Sequence, residues 1–326
     1  MSADSMLSNS RNRAVSMQGL LMSTFFVAGL VSLFSYLPYE WWLSDLVSHF
    51  RLQYCLFFAA MALWFALFQS WSWAVAALLL FCLNLVDIAP RWFPAPVPAP
   101  NHVESLRLMI FNVNTRGDPA KALRVIDKAQ PDILLLLEVD RQWLMKLSPL
   151  RQKLPFQIAQ PRSDNFGIAL FSRFALEAQI VKLGSLQLPS VHAFVDVHGL
   201  TLQFWGIHPP PPIGATMSAL RDEQLAAVAR QIQAQPLSIM AGDFNTTPYA
   251  RTFKALLHTT GLLHASSGFG IQGTWPLSLN ILSIPIDHVL HTRDIVTTDQ
   301  QVLWNTGSDH GALVVDLLVP AVANPD

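Results

Sequence analysis

Charge is scarce in this chain: Asp, Glu, Lys and Arg together make up 13% of its 326 residues, about half the roughly 25% usual in soluble domains. With 52% hydrophobic residues and a mean hydropathy of +0.34, that scarcity excludes a disordered chain and a coiled coil. An excess of either sign is missing too. The net charge of −1 leaves no global field to gather polyanions. No lysine and arginine cluster interleaved with aromatics appears, as a duplex-gripping surface would require. Cysteine is nearly absent: Cys55 and Cys82 alone exclude a disulfide-stapled scaffold.

What the chain has in abundance is uncharged apolar sequence, concentrated at one end. Residues 19–37 and 52–68 contain no charge, and residues 71–88 contain only Asp87. A membrane span needs about 20 mostly apolar residues, within roughly 17 to 25, so the three runs predict three transmembrane helices in a membrane region of residues 1–89. Trp41, Trp42, Trp71, Trp73 and Trp92 sit at the ends of the runs, where amphipathic rings prefer the headgroup level. The alternatives are a cleaved signal peptide for the first run and a buried helical hairpin for the other two. No small-residue cleavage site follows the first run, and the aromatic ends speak against the hairpin. Arg11 and Arg13 before the first run favour a cytoplasmic N-terminus, and three spans then place the remainder outside the cytoplasm.

Residues 90–100 hold five prolines in eleven positions. This is a linker (residues 90–104 in all), either a polyproline spacer of roughly 34 Å at about 3.1 Å per residue or an inert stalk. Beyond it, residues 101–326 carry 17 Lys and Arg against 18 Asp and Glu. Short apolar runs predict buried strands at 106–113, 132–139, 168–172, 200–207, 237–241, 286–290 and 312–318. Helices fall between them: one capped by Asp118-Pro119 and stopped by Pro131, one over 221–233, and one near 252–257. The alternation predicts a layered α/β domain over 105–319, followed by a tail, 320–326.

Unexpected polar groups stand at the ends of these strands. Asn112 interrupts an apolar run, Glu138 follows four leucines, and His208 ends LTLQFWGI. Asp243 and Asn245 lie in GDFN, Asp287 opens DHVLH, and Asp309 and His310 lie in GSDH. A carboxylate at a buried strand end is costly unless it is paired or binds a cation. Singly, each has a plain structural reading as a turn cap, an ion-pair partner or a satisfied core histidine.

As an ordered set, FNVN, PDILLLLE, GIALFSR, GIH, GDFN, IDHVL and SDH resemble the endonuclease/exonuclease/phosphatase superfamily. That resemblance implies a four-layer αββα sandwich, two packed β-sheets flanked by helices, here preceded by three transmembrane helices. It implies Mg²⁺, with Mn²⁺ as a substitute, held by Glu138 and Asn112 and supported by Asp309. It also implies that Asp243 and Asn245 position water and phosphoryl oxygens, that His310 is the catalytic histidine oriented by Asp287, and that His208 contacts phosphate. Asn165 stands where some members place a partner for His208, and Ser308 supports local geometry. Tethered bacterial members share this layout, which implies a bacterial inner or plasma membrane with the catalytic domain outside the cytoplasm. Arg221 reads as an exposed helical arginine before one reaching a phosphate, Trp275 as core or pocket wall before a base-stacking platform, and Pro209–Pro212 as a stiff loop before a rim shaping the substrate groove.

The expected function is a membrane-anchored, metal-dependent phosphohydrolase acting on a phosphate ester, with the lipid bilayer as partner and a lipid or nucleic acid as substrate. No protein partner is evident. An extracytoplasmic nuclease is the first alternative, and a catalytically silent membrane binding module on the same fold is the second.

Overall fold

All seven predicted apolar runs contain strands, whereas the helix expected over 221–233 begins seven residues earlier, at Gly214. The computed structural model describes residues 17–37, 41–94, 103–232 and 237–321. Arg11, Arg13, most of the proline-rich linker, Gln233 and the tail from 322 lie outside these residues.

Four helices come first: α1 (Met17–Phe34), α2 (Trp42–Ser48), α3 (Arg51–Leu67) and α4 (Trp71–Ile88). By length and apolar composition, α1 and the segment Trp71–Trp92 can cross a membrane, and α2 with α3 make a third candidate only as a pair bent by 62°. The three apolar runs are therefore helical, but two rather than three qualify alone. Residues α1 Phe26, Leu30 and Leu33, α3 Leu63 and Leu67, and α4 Leu79 and Val86 are exposed. Phe25, Phe58, Phe65 and Ala77 pack between the helices.

The remainder forms two six-stranded sheets. The first has the order β11-β12-β1-β2-β4-β3, and the second β5-β6-β7-β8-β10-β9. In chain order the strands are β1 (Val103–Asn112), β2 (Ile133–Leu137), β3 (Phe156–Gln160), β4 (Ile168–Ser172), β5 (Leu176–Leu183), β6 (Leu188–Val197), β7 (Leu200–Ile207), β8 (Ser238–Asp243), β9 (Leu263–His264), β10 (Asp287–His291), β11 (Val296–Leu303) and β12 (Ala312–Pro320). Strand alternation sorts the core into layers. Leu108, Ile110 and Leu135 of the first sheet meet Val195, Phe204 and Ile239 of the second in the central seam. The opposite faces are covered by helices. Met109, Phe111 and Leu134 pack under α5 (Pro119–Ala129) through Ala122 and Ile126. Trp205 and Met240 pack under α7 (Gly214–Ile232) and α8 (Arg251–Thr260) through Leu225, Val228 and Phe253. A further short helix, α6 (Arg141–Lys146), follows β2. The expected helix–sheet–sheet–helix order is present. Asp118 caps α5 by accepting from the amides of Ala120 and Lys121, and Gln130 ends it in a left-handed conformation before Pro131.

The linker does not begin as a free spacer. Residues Ala89–Trp92 form a 3₁₀ turn that continues α4. The Arg91 carbonyl accepts from the amides of Gly268 and Gly270, each at 2.9 Å. Cys55 and Ile88 pack on Tyr249, and Lys254 pairs with Asp87 at 2.7 Å. The apolar helices are thus docked on the α/β domain, on the side of the second sheet.

Because Leu135 is wholly buried in the seam, Leu135→Ala should destabilise the chain by about 2–5 kcal/mol, read as a lowered denaturation midpoint in detergent.

Candidate active site

Register brings the polar strand ends together. β1 and β2 run parallel, with Asn112 opposite Leu137, so the carboxyl end of each points the same way. β12 runs antiparallel to β1, which returns the SDH turn to that same end. In the second sheet β7 and β8 are parallel with Ile207 opposite Gly242, and β10 is antiparallel with Asp287 directly opposite Asp243. One end of the sandwich therefore receives Asn112, Glu138, His208, Asp243, Asp287 and His310 from six different segments.

The side chains form one connected group. The Asn112 amide Nδ2 donates to Glu138 Oε1 at 2.9 Å and to Asp243 Oδ2 at 3.2 Å. His310 Nδ1 lies 3.0 Å from Asp287 Oδ2, and its Nε2 lies 3.7 Å from Asp243 Oδ2. His208 Nε2 is 3.6 Å from the same Asp243 oxygen. Asn112, His208, Asp243, Asp287 and His310 are all buried, and Glu138 is half-buried. Three oxygen or nitrogen atoms of Asp243, Asp287 and His310 lie within 4.8 Å of one another, a spacing that can hold a cation.

The backbone is bent to reach this arrangement. Asn114, Glu138 and Asn245 have φ of 53°, 60° and 50°, in the left-handed region, and Gly242 has φ of 149°. A Cβ at Gly242 would stand 1.9 Å from the Ile207 carbonyl oxygen, so only glycine lets β8 approach β7 here. Such conformations cost about 1–3 kcal/mol each and concentrate at functional sites.

The remaining predicted residues lie around the group. The Asn245 amide N–H donates to Asp243 Oδ1 at 2.9 Å, and its Nδ2 donates to the Pro209 carbonyl at 3.0 Å. Asp309 is at the exposed rim, accepting from Asn114 Nδ2 at 2.8 Å and from Trp275 Nε1 at 3.0 Å. Ser308 Oγ donates to the Asn112 carbonyl at 2.8 Å and so pins the SDH turn to β1. Asn165 accepts from Thr115 Oγ1, while the neighbouring Phe166 ring packs 5.5 Å from that of His208.

Sequence reasoning missed three supports. Thr274 Oγ1 accepts from the amides of Ile286 and Asp287, Asn114 tethers Asp309, and Thr306 Oγ1 donates to the His310 carbonyl at 2.7 Å. Asn114 stands inside FNVN, and Thr274 stands next to Trp275, but nothing in linear order pairs them with the acids they serve. Arg221 requires a correction. It is 0% exposed, not a surface arginine, because α2 packs over it. Its guanidinium pairs with Asp45 of α2 and with Asp222, and Nη1 donates to the Asn245 carbonyl at 3.2 Å.

Burial and mutual repulsion set the charges. Desolvation raises the Glu138 pKa despite the Asn112 hydrogen bond, and burial together with the Asp287 charge pushes Asp243 well above the usual carboxylate range. Burial alone would lower His310, but Asp287 at hydrogen-bond distance prevails and raises it to about 9. Burial, with the nearby His310 charge, lowers His208 to about 4. At neutral pH the pocket therefore holds an imidazolium at position 310 and a neutral imidazole at 208.

Comparison with known proteins gives the family and the fold. A sequence model of the Endonuclease/Exonuclease/phosphatase family matches residues 109–310. No curated protein sequence matches the chain. Among solved structures, an endonuclease/exonuclease/phosphatase from Beutenbergia cavernae is similar over 66% of this chain and 72% of its own, with 20% identity and a TM-score of 0.55. D. rerio TDP2, solved with a single-strand DNA product, is similar over 66% of this chain and 99% of its own, with 16% identity and a TM-score of 0.53. The human Nocturnin catalytic domain, with bound sulfate, is similar over 70% of this chain and 98% of its own at 21% identity and a TM-score of 0.50. With more than half of its length matched by the family and its two-sheet fold shared by these structures, the chain belongs to the Endonuclease/Exonuclease/phosphatase family.

Proposed function

We propose that the protein is a membrane-anchored, Mg²⁺-dependent phosphohydrolase that cleaves a phosphate ester of a substrate presented at the bilayer. The observation that carries the reaction class is the convergence of Asn112, Glu138, Asp243, Asp287 and His310 in one pocket.

The donor set fits a hard divalent cation. Two carboxyl groups are raised in pKa by burial, and Asp287 Oδ1 is buried without a hydrogen-bond partner. Both signs point to a deficit of positive charge. Glu138 and Asn112 would hold the ion, with Asp309 supporting through Asn114, because Mg²⁺ prefers oxygen and keeps several waters. The tighter Asp243–Asp287–His310 group is the poorer place, since an ion there would compete with the Asp287–His310 hydrogen bond. When bound, the metal supplies Lewis-acid stabilisation of charge on phosphoryl oxygens.

The chain's own groups do the rest. Asp287 holds the His310 ring through Nδ1, leaving Nε2 to hold or move a proton toward Asp243. Asp243, pinned by the Asn245 amide, is placed to orient the attacking water. His208 and the second Asn245 side-chain hydrogen can donate to phosphoryl oxygens, where charge grows.

A lipid substrate is favoured by the rim. Trp275 binds Asp309, and the chain then runs through exposed Leu279, Ile281 and Leu282. The Ile281 carbonyl accepts from Gln53 of α3 at 3.1 Å. An apolar lip thus stands between the pocket and the membrane helices. The nuclease reading has its own support. Lys121, Arg124 and Lys128 of α5 share a groove of about 460 Å³ with the exposed Trp304, a grouping invisible in linear sequence. That groove lies over the first sheet, on the layer away from the docked helices, which is where a soluble strand and not a bilayer lipid would reach.

Three outcomes test these readings. His310→Ala should still fold and lose at least about a hundredfold in kcat, with wild-type turnover abolished by EDTA and restored by Mg²⁺; near-normal turnover removes His310 from the mechanism. Replacing Lys121, Arg124 and Lys128 by Gln should leave lipid phosphoester turnover within about twofold; on the nuclease reading, the same change flattens the salt dependence of DNA cleavage by about 0.7 in slope per lost contact. The His310 pKa, raised above its unfolded value, contributes stability that is complete below about 6.5 and lost as pH rises through about 9. In metal-free protein the stability advantage of wild type over His310→Asn should shrink across that window, and a constant difference would rule out the raised imidazolium.

A further inference from the structure

The turn that carries Asp243 and Asn245 is held from outside the α/β domain. Arg221 is wholly buried and uses its guanidinium in three directions: Nη2 to Asp45 at 2.8 Å, Nε to Asp222 at 2.8 Å, and Nη1 to the Asn245 carbonyl at 3.2 Å. Asp45 belongs to the first turn of α2 in the apolar N-terminal region, and its other oxygen accepts from the Arg251 amide at 3.2 Å. The next carbonyl of the turn is held independently. Arg91 Nη1 lies 2.5 Å from His264 Nδ1, His264 Nε2 lies 3.1 Å from His288 Nδ1, and His288 Nε2 lies 2.8 Å from the Thr246 carbonyl. Only one assignment of protons satisfies that row. Arg91 donates to His264, His264 to His288, and His288 to Thr246, both rings being neutral and buried. Two consecutive carbonyls of the left-handed turn, 245 and 246, are therefore tied to two separate points of the membrane-proximal segment.

We propose that Asp45 is a positioning residue which, through Arg221, holds the 243–246 turn in its working conformation, so that the membrane region is a structural part of the active site and not only a tether. This rests on the phosphohydrolase reading for its effect on turnover, but not for its effect on the turn. A planar guanidinium can serve a carboxylate and a carbonyl together, which a lysine ammonium cannot do with the same geometry. Asn245 at φ 50° is the residue such a hold must keep in place. Asp243 is the one next exposed to error, since the Asn245 amide is its hydrogen-bond donor.

The experiment uses the full chain in detergent with Mg²⁺ and bis-p-nitrophenyl phosphate, comparing Asp45→Asn, Arg221→Lys and Lys254→Gln. Lys254 makes another ion pair between the two regions, to Asp87, and its ammonium makes no hydrogen bond to residues 243–246 among the described residues. It controls for docking alone. Asp45→Asn and Arg221→Lys should each lower kcat by roughly ten- to a hundredfold, the scale of a misplacement near 1 Å, with KM changed by less than about threefold. Hydrogen exchange across residues 242–250 should quicken in both variants, while Lys254→Gln leaves both readouts as in wild type. Equal effects in all three variants, or unchanged exchange in the first two, overturn the proposal. Should Asp45→Asn fail to fold, Arg221→Lys carries the comparison. A wild-type chain without phosphoesterase activity would defeat the functional reading, while exchange in the turn still decides this one.

Discussion

Burying several acids at one place is the constraint on which the rest of this structure depends. Glu138, Asp243 and Asp287 lie within a few residues of the strand ends, and Asp243 faces Asp287 directly across a strand pair. In the folded interior such groups cannot all remain charged without compensation. The molecule compensates in part, with the Asn112 amide shared between Glu138 and Asp243 and with an imidazolium at His310 held by Asp287. The compensation is incomplete. Raised carboxyl pKa values at Glu138 and Asp243 are the physical signs of a pocket short of positive charge.

That arrangement constrains the fold around it. Parallel β1–β2 and β7–β8 pairs are what bring four carboxyl ends to one edge, and the antiparallel returns of β10 and β12 add Asp287 and the SDH turn. Glycine at 242 and left-handed Glu138 and Asn245 are the local cost of turning the chain sharply enough there. Core packing carries that strain. The seam of Leu108, Ile110, Leu135, Phe204 and Ile239 is fully buried and spans both sheets.

Much of this was legible because it is written in short apolar runs. β4 and β7 fall where the runs at 168–172 and 200–207 place them, and Asp118-Pro119 marks the start of α5. Strands β3, β5 and β11 were not legible. They are edges or near-edges with half-exposed, mixed patterns, so no continuous apolar run announces them. β6 lies one strand in from the edge and is mostly buried, but Pro189 and His192 break its run and disguise it. At the site, polar residues closing apolar runs singled out Asn112, Glu138, His208 and Asp243 as strand-end groups, and the structure gathers them at one end of the sandwich. Arg221 gave none, because its burial is made by a helix 176 positions away that sequence periodicity treats as a separate region. The row of His264 and His288 was missed for the same reason: its meaning depends on Arg91 docking beside it.

The docked helices also change what the proline-rich stretch can mean. A free stalk would let the pocket sample many orientations relative to a bilayer, whereas Arg91 bonded to Gly268 and Gly270 and Lys254 paired with Asp87 fix the α/β domain against α4. A fixed domain sets one rim beside the apolar helices, and that rim carries the exposed Leu279, Ile281 and Leu282 beside the Gln53 contact. The cations of α5 lie on the other layer. On the lipid reading proposed above, a substrate entering along the lip would meet Trp275 and Asp309 at the rim before the buried acids, with its apolar part left in the lip. That order of contacts suits an amphiphile, because the two ends of such a molecule are separated in the same sense as the lip and the pocket.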